Sequence, residues 1–190
     1  MKAKVIILII FLFVNSSLFS QVKNKAEVAH YYKELTTKFT DVCLKLSRLG
    51  NYLGEYSKIA SKNENFKLDK ERYDTISSLN SESAKILNQG IFEIIELKEA
   101  DSTFKINMVV LDIYGGFNKI LSDSYSVFIS TFQTGIKDFT QNDIAKKKEA
   151  ESLLFKYLKT INTDTDKLET LLNNLRSKYE LSENEILQSP

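Results

Sequence analysis

The sequence predicts an all-α fold: an antiparallel up-down-up-down bundle of four long helices, about 23–62, 69–99, 103–134 and 141–180, following an N-terminal signal peptide. Three observations carry this expectation. The only proline of the 190 residues is Pro190, so nothing forbids long helices. Apolar residues recur at steps of three and four along most of the chain, the period of one helix face. The breaks in that pattern are short and polar, the kind of connection that joins antiparallel neighbours.

Residues 1–20, MKAKVIILIIFLFVNSSLFS, have the layout of an export signal. Lys2 and Lys4 precede an unbroken apolar run from Val5 to Val14, polarity returns at Asn15–Ser17, and Ser20–Gln21 offers a small-residue cleavage point. The run is far shorter than the roughly 20 residues that span a bilayer. Residues 21–190 then form one domain. Without Lys2 and Lys4 the chain carries 24 basic and 25 acidic residues, a net charge of −1, which argues against nucleic-acid binding. Only three of the basic residues are arginine (Arg48, Arg72, Arg176), which further weakens bidentate phosphate recognition.

The first helix places Tyr31, Leu35, Phe39, Val42, Leu46, Leu49, Leu53, Tyr56 and Ile59 on one face and ends at the polar stretch SKNENFK, 61–67. The second is capped by Asp69 and carries Tyr73, Ile76, Leu79, Ala84, Leu87, Ile91, Ile94 and Leu97. Asp101 or Ser102 is the expected cap of the third, whose stripe runs Ile106, Val109, Ile113, Phe117, Ile120, Ser124, Phe128, Thr131. Phe104, Ile106, Met108 and Val110 also alternate with period two, so a short strand competes there. Gly135 breaks the pattern. Thr140-x-x-Asp143 then resembles a capping box, opening a fourth stripe from Leu154 and Leu158 to Tyr179, with a kink expected at NTDTD, 162–166. A short turn from Ser182 to Leu187 closes the chain.

Gly115 and Gly116 stand side by side inside the third segment, where each costs about 1 kcal/mol relative to alanine. They lack the pattern and the preceding strand of a phosphate loop. A turn would split the segment, but Ile113, Phe117 and Ile120 keep helical phase across the pair. Close packing is the favoured reading: residue 115 falls opposite about residue 87, near Ala84 and Gly90, and Gly50 and Gly54 fall opposite Ser77, Ser78 and Ser81, so small residues meet small residues. The alternative is a pocket between helices.

Candidate chemistry is sparse. His30 is the sole histidine and Cys43 the sole cysteine, so a catalytic triad would need His30, near the start of the first helix, as its base, and di-iron and Cys/His zinc sites are excluded. No catalytic residue, metal ligand or cofactor is expected. Glu93, Glu96 and Glu99 read as a solvated cluster and Lys146–Lys148 as a solvated basic run. Cys43 reads as a buried thiol, with a disulfide between two protomers as the sharper alternative. Asp112, Tyr114, Gly115 and Gly116 form the candidate ligand-binding set, and Tyr52, Tyr56 and Tyr125 could add hydroxyls to an interhelical cavity. The functional expectation is an exported, non-enzymatic interaction module of a bacterial periplasm or extracellular space, acting on a protein partner or as a homo-oligomer. The alternatives are a carrier or sensor of a small apolar or aromatic ligand and, less favoured, a membrane-active protein without stable insertion. The intact mass of the exported chain should correspond to residues 21–190; a mass that retains residues 1–20 would reject the leader.

Overall fold

A computed structural model describes residues 24–63 and 65–189, all of it helix and connection, with no strand among the described residues. The expected leader lies outside them. Helix α1 spans Lys25–Ala60, α2 Lys70–Glu96 and α3 Ile106–Lys119. A π-helical turn, Ile120–Tyr125, continues α3 directly into α4, Ser126–Thr134. After a 3₁₀ turn at Ile136–Asp138, α5 runs Gln141–Lys178 and α6 Glu183–Gln188.

Local chemistry sets most of these ends. The Asp69 carboxylate accepts from the Arg72 N–H at 2.8 Å. Thr140 and Asp143 form the anticipated capping box, and Ser182 and Glu185 form a second. The start of α3 differs from expectation. Lys105 takes a left-handed conformation (φ 52°) without a side-chain cap. The Asn107 N–H is instead satisfied by the Glu99 carboxylate at 2.9 Å, a cap from outside the helix. The alternating apolar residues at 104–110 therefore belong to a loop and a helix start, not a strand. NTDTD does not interrupt α5; Thr163 and Thr165 donate their hydroxyls to the carbonyls of Lys159 and Ile161 one turn back.

Contacts fix the order of packing. α2 runs back along α1, since Lys38 near the start of α1 reaches Glu93 near the end of α2 at 3.3 Å. α3 packs on α2, and α5 packs along α3, the π-turn and α4. At one pole Tyr56, Phe66 and Phe132 form an aromatic triangle with ring centroids 6.0–6.4 Å apart. At the other, α6 folds back over α1, where Lys25 pairs with Glu185 at 2.6 Å and Lys33 donates to the Leu187 and Ser189 carbonyls. α1 makes no approach to α5 comparable to its approach to α2. Ile59, placed on the α1 stripe by the sequence, is 46% exposed. Beyond the π-turn Thr131 is buried as the stripe predicts, but Ile129 and Phe132 are buried in place of Phe128, which is half-buried, because the wider turn holds an extra residue and advances the stripe by one.

The glycine pair lies within continuous helix, and its two members differ. A Cβ on Gly115 would meet nothing within 4 Å, whereas one on Gly116 would fall 2.7 Å from Ile161 Cγ1 on α5. The close approach is thus made toward α5 and not, as the hairpin register suggested, toward Ala84 and Gly90. Gly90 does meet this helix, but it receives the ring of Tyr114 (3.2 Å from its would-be Cβ), and Gly50 faces the Tyr125 hydroxyl at 3.3 Å instead of a serine. Large residues fit against small ones in both places. Gly115→Ala should raise stability by about 0.5–1 kcal/mol through helix propensity, and Gly116→Ala should lower it by about 1–3 kcal/mol through overpacking; urea denaturation of the two variants checks the opposite signs.

Candidate functional site

The open seam between α1 and α5 has the π-turn as its floor. There a cavity of about 190 Å³ is lined by Cys43, Leu46, Ser47 and Gly50 of α1, Phe117 of α3, Ile120, Leu121 and Tyr125 of the π-turn, and Leu158 of α5. The π-turn is anchored on its far side. The buried Ser124 hydroxyl donates to the Ala150 carbonyl at 3.0 Å, and Tyr157 donates to the Asp123 carboxylate at 2.7 Å. The Lys119 ammonium lies 5.9 Å from the Tyr157 ring centroid. Hydrogen bonds from Ser122 and Tyr157 lower the Asp123 pKa, so it remains an anion and a firm acceptor. Burial pushes the Cys43 thiol up to about 11, which leaves it neutral at physiological pH and a poor nucleophile. Burial also raises the Tyr125 phenol, which makes no hydrogen bond to any described residue.

The residues singled out by sequence do not assemble into one site. Asp112 is exposed. Tyr114 points into the core, stacked on Phe39 with centroids 6.0 Å apart, its hydroxyl buried without a partner. Ile161 fills the space over Gly116, and Gly115 faces no neighbour. Cys43 lines the cavity. Of the tyrosines, Tyr125 reaches the cavity, Tyr56 sits in the aromatic triangle and Tyr52 is 38% exposed. The π-turn is the part that sequence reasoning missed; the adjacent buried pair Ile120–Leu121 does not mark it, since Val109–Val110 and Ile113–Tyr114 are buried pairs in regular α3.

A second depression, open and acidic, lies at the α6 pole, lined by Glu27, His30, Glu34, Lys38, Glu93, Glu96 and Glu99 among others. Three of its carboxylates have structural partners. Glu93 accepts from Gln89 and Lys38, Glu99 caps α3, and Glu34 lies 3.5 Å from the exposed His30. Below it, Asn107 ties three elements together. Its side-chain amide donates to the carbonyls of Ile94 and Leu97 (3.2 and 2.7 Å), and its side-chain oxygen accepts from the buried Tyr31 hydroxyl at 2.7 Å. Asp101, nearly buried, accepts from the Thr103 N–H and hydroxyl (3.1 and 2.6 Å), from Lys178 (2.6 Å) and from Tyr179 (3.0 Å). Lys146, Lys147 and Lys148 are largely solvated, with Lys147 paired to Glu151 at 3.1 Å. Among the described residues no three His, Cys, Asp or Glu side chains gather in a metal-binding arrangement, and no helix is long and apolar enough to cross a membrane.

No protein-family model, curated protein or solved structure matches this chain, so the site is read from its own geometry.

Burial would raise the Asp101 carboxyl, but the hydrogen bonds from Lys178, Thr103 and Tyr179 outweigh it and hold the group well below the usual carboxylate range. A depressed folded-state value means that the stabilisation is complete above the unfolded-chain value of about 3.9 and is lost as pH falls through the folded one. Asp101→Asn should therefore destabilise the protein at pH 7 by about 1.5–3 kcal/mol, and the gap to wild type should narrow as pH is lowered from about 4 toward 2. Urea titrations at a series of pH values measure this; a gap that stays constant over the range would reject the role.

Proposed function

We propose that this chain is an exported, non-enzymatic interaction module: an antiparallel up-down-up-down bundle that binds a protein partner, or a second copy of itself, through an outer helix face. The observation that carries the reading is Phe92 with Ile95. They stand three residues apart on the face of α2 opposite its buried stripe, and are 63% and 62% exposed. Neighbours at i and i+3 form one continuous apolar surface. Each exposed side chain of this size leaves unburied roughly 1.5–3 kcal/mol of transfer free energy. Tyr, Trp, Phe and Met concentrate at interaction surfaces, and Met108, 59% exposed, presents a third large apolar group at the start of α3. Export rests on the leader-like composition of residues 1–20, and the uncharged Cys43 thiol supports a non-catalytic role.

The experiment places a photo-crosslinking residue at position 92 or 95 of the exported chain in its own host, with position 167, exposed on α5, as control. A discrete crosslinked band from 92 and 95 but not from 167 supports the module, and its mass separates a self-pair from a partner. The double variant Phe92→Ser/Ile95→Ser should lose the association while changing folding stability by no more than about 0.5 kcal/mol, as surface substitutions do. A strictly monomeric protein with no crosslink from either position would overturn the proposal.

A further inference from the structure

We infer that the cavity over the π-helical turn is a binding site for one small, neutral, mostly apolar molecule: an aromatic ring carrying a single hydrogen-bonding group, of the phenol or indole class. α2 supplies none of the lining residues, so this site is separate from the outer face proposed above. Four features of the cavity agree.

Size comes first. The partly open cavity offers about 190 Å³, and apolar cavities of roughly 150 Å³ in other proteins admit benzene. The space fits a ring of six to nine heavy atoms and is too small for a helix. Charge comes next. Leu46, Phe117, Ile120, Leu121 and Leu158 make up most of the wall, and no carboxylate, ammonium or guanidinium lines it. An ionised ligand would be desolvated there without a counter-charge. The third feature is the Tyr125 hydroxyl. It lies across the gap, 3.3 Å from where a Gly50 Cβ would stand, without a hydrogen-bond partner among the described residues. A ligand with one hydroxyl or N–H would supply that partner. The fourth is preorganisation. π-Turns recur at functional sites, and this one is fastened to α5 from behind by Ser124 and Asp123, so it does not close the cavity by rewinding. Leu158, 38% exposed, stands at the rim.

Phenol, indole, toluene and benzoate, titrated into the intact protein by calorimetry and by amide NMR shifts at Gly50 and Ile120, test the inference. Phenol and indole should bind one-to-one with dissociation constants on the order of 10⁻⁴ M, and benzoate at least about tenfold more weakly because its charge stays unpaired. Tyr125→Phe preserves the shape and should weaken phenol about three- to tenfold while leaving toluene unchanged. Gly50→Leu, checked for unchanged helicity, should abolish all binding by filling the space. Absence of saturable binding, equal affinity for benzoate, or a Tyr125→Phe variant that treats phenol and toluene alike would each overturn it.

Discussion

The architecture depends on how closely α5 can approach α3. Along its 38 residues α5 buries only Ala150, Ile161, Leu168 and Leu175, about one side chain in ten. Area alone gives so sparse a stripe little hold. The missing side chain at Gly116 lets Ile161 enter the surface of α3, and dispersion rises steeply at such separations. Once the backbones are this close, polar contacts on either side become geometrically available: Ser124 to Ala150 above, and Lys178 and Tyr179 to Asp101 below. This long helix with its sparse apolar stripe is therefore held by one tight apolar contact between two polar fastenings.

The poles are built from different materials. Three rings close one, beside which the Leu68 N–H donates to the Phe132 carbonyl at 2.9 Å. The other must end two helices and start a third, leaving orphan backbone groups in a half-buried place. Asn107 is suited to that task because a carboxamide both donates and accepts. Its side-chain oxygen accepts a hydrogen bond from the Tyr31 hydroxyl, and its side-chain NH2 donates to two carbonyls at the α2 terminus. Asp101 accepts from the Thr103 N–H and Glu99 from the Asn107 N–H, so two more donors of the turn find partners within nine residues of sequence, 99–107.

How much was legible follows from what each signal encodes. Period-three-and-four spacing encodes which face is buried, and the stripes of α1 and α2 were readable from it: Leu35, Val42, Leu49, Leu53, Ile76, Leu87 and Ile94 all lie inside. Local capping chemistry was readable wherever donor and acceptor sit within one turn, as at Asp69 and Thr140. Asn107 and Glu99 were invisible because their partners are 8 to 76 residues away. The π-turn was invisible because an extra residue in one turn leaves no composition of its own and shows only as a phase slip from Phe128 to Ile129. Glycine pairs mark close approach without naming the neighbour, so Gly116 could be weighed correctly while its partner was placed on the wrong helix. The candidate ligand set fared similarly: Asp112 and Tyr114 are near in sequence but face solvent and core respectively, while the cavity is assembled from four elements.

The clasp between α6 and the first turns of α1 has a consequence for how the molecule opens. Ends of helical chains ordinarily fray independently. Here the Lys25–Glu185 pair and the Lys33 contacts to Leu187 and Ser189 join the earliest described helix to the last. Release of either end removes partners from the other, so the two tend to loosen as one cooperative unit. The chain behaves less like an open string of helices than like a closed strap, with its buckle at the pole where Asn107 already gathers three elements.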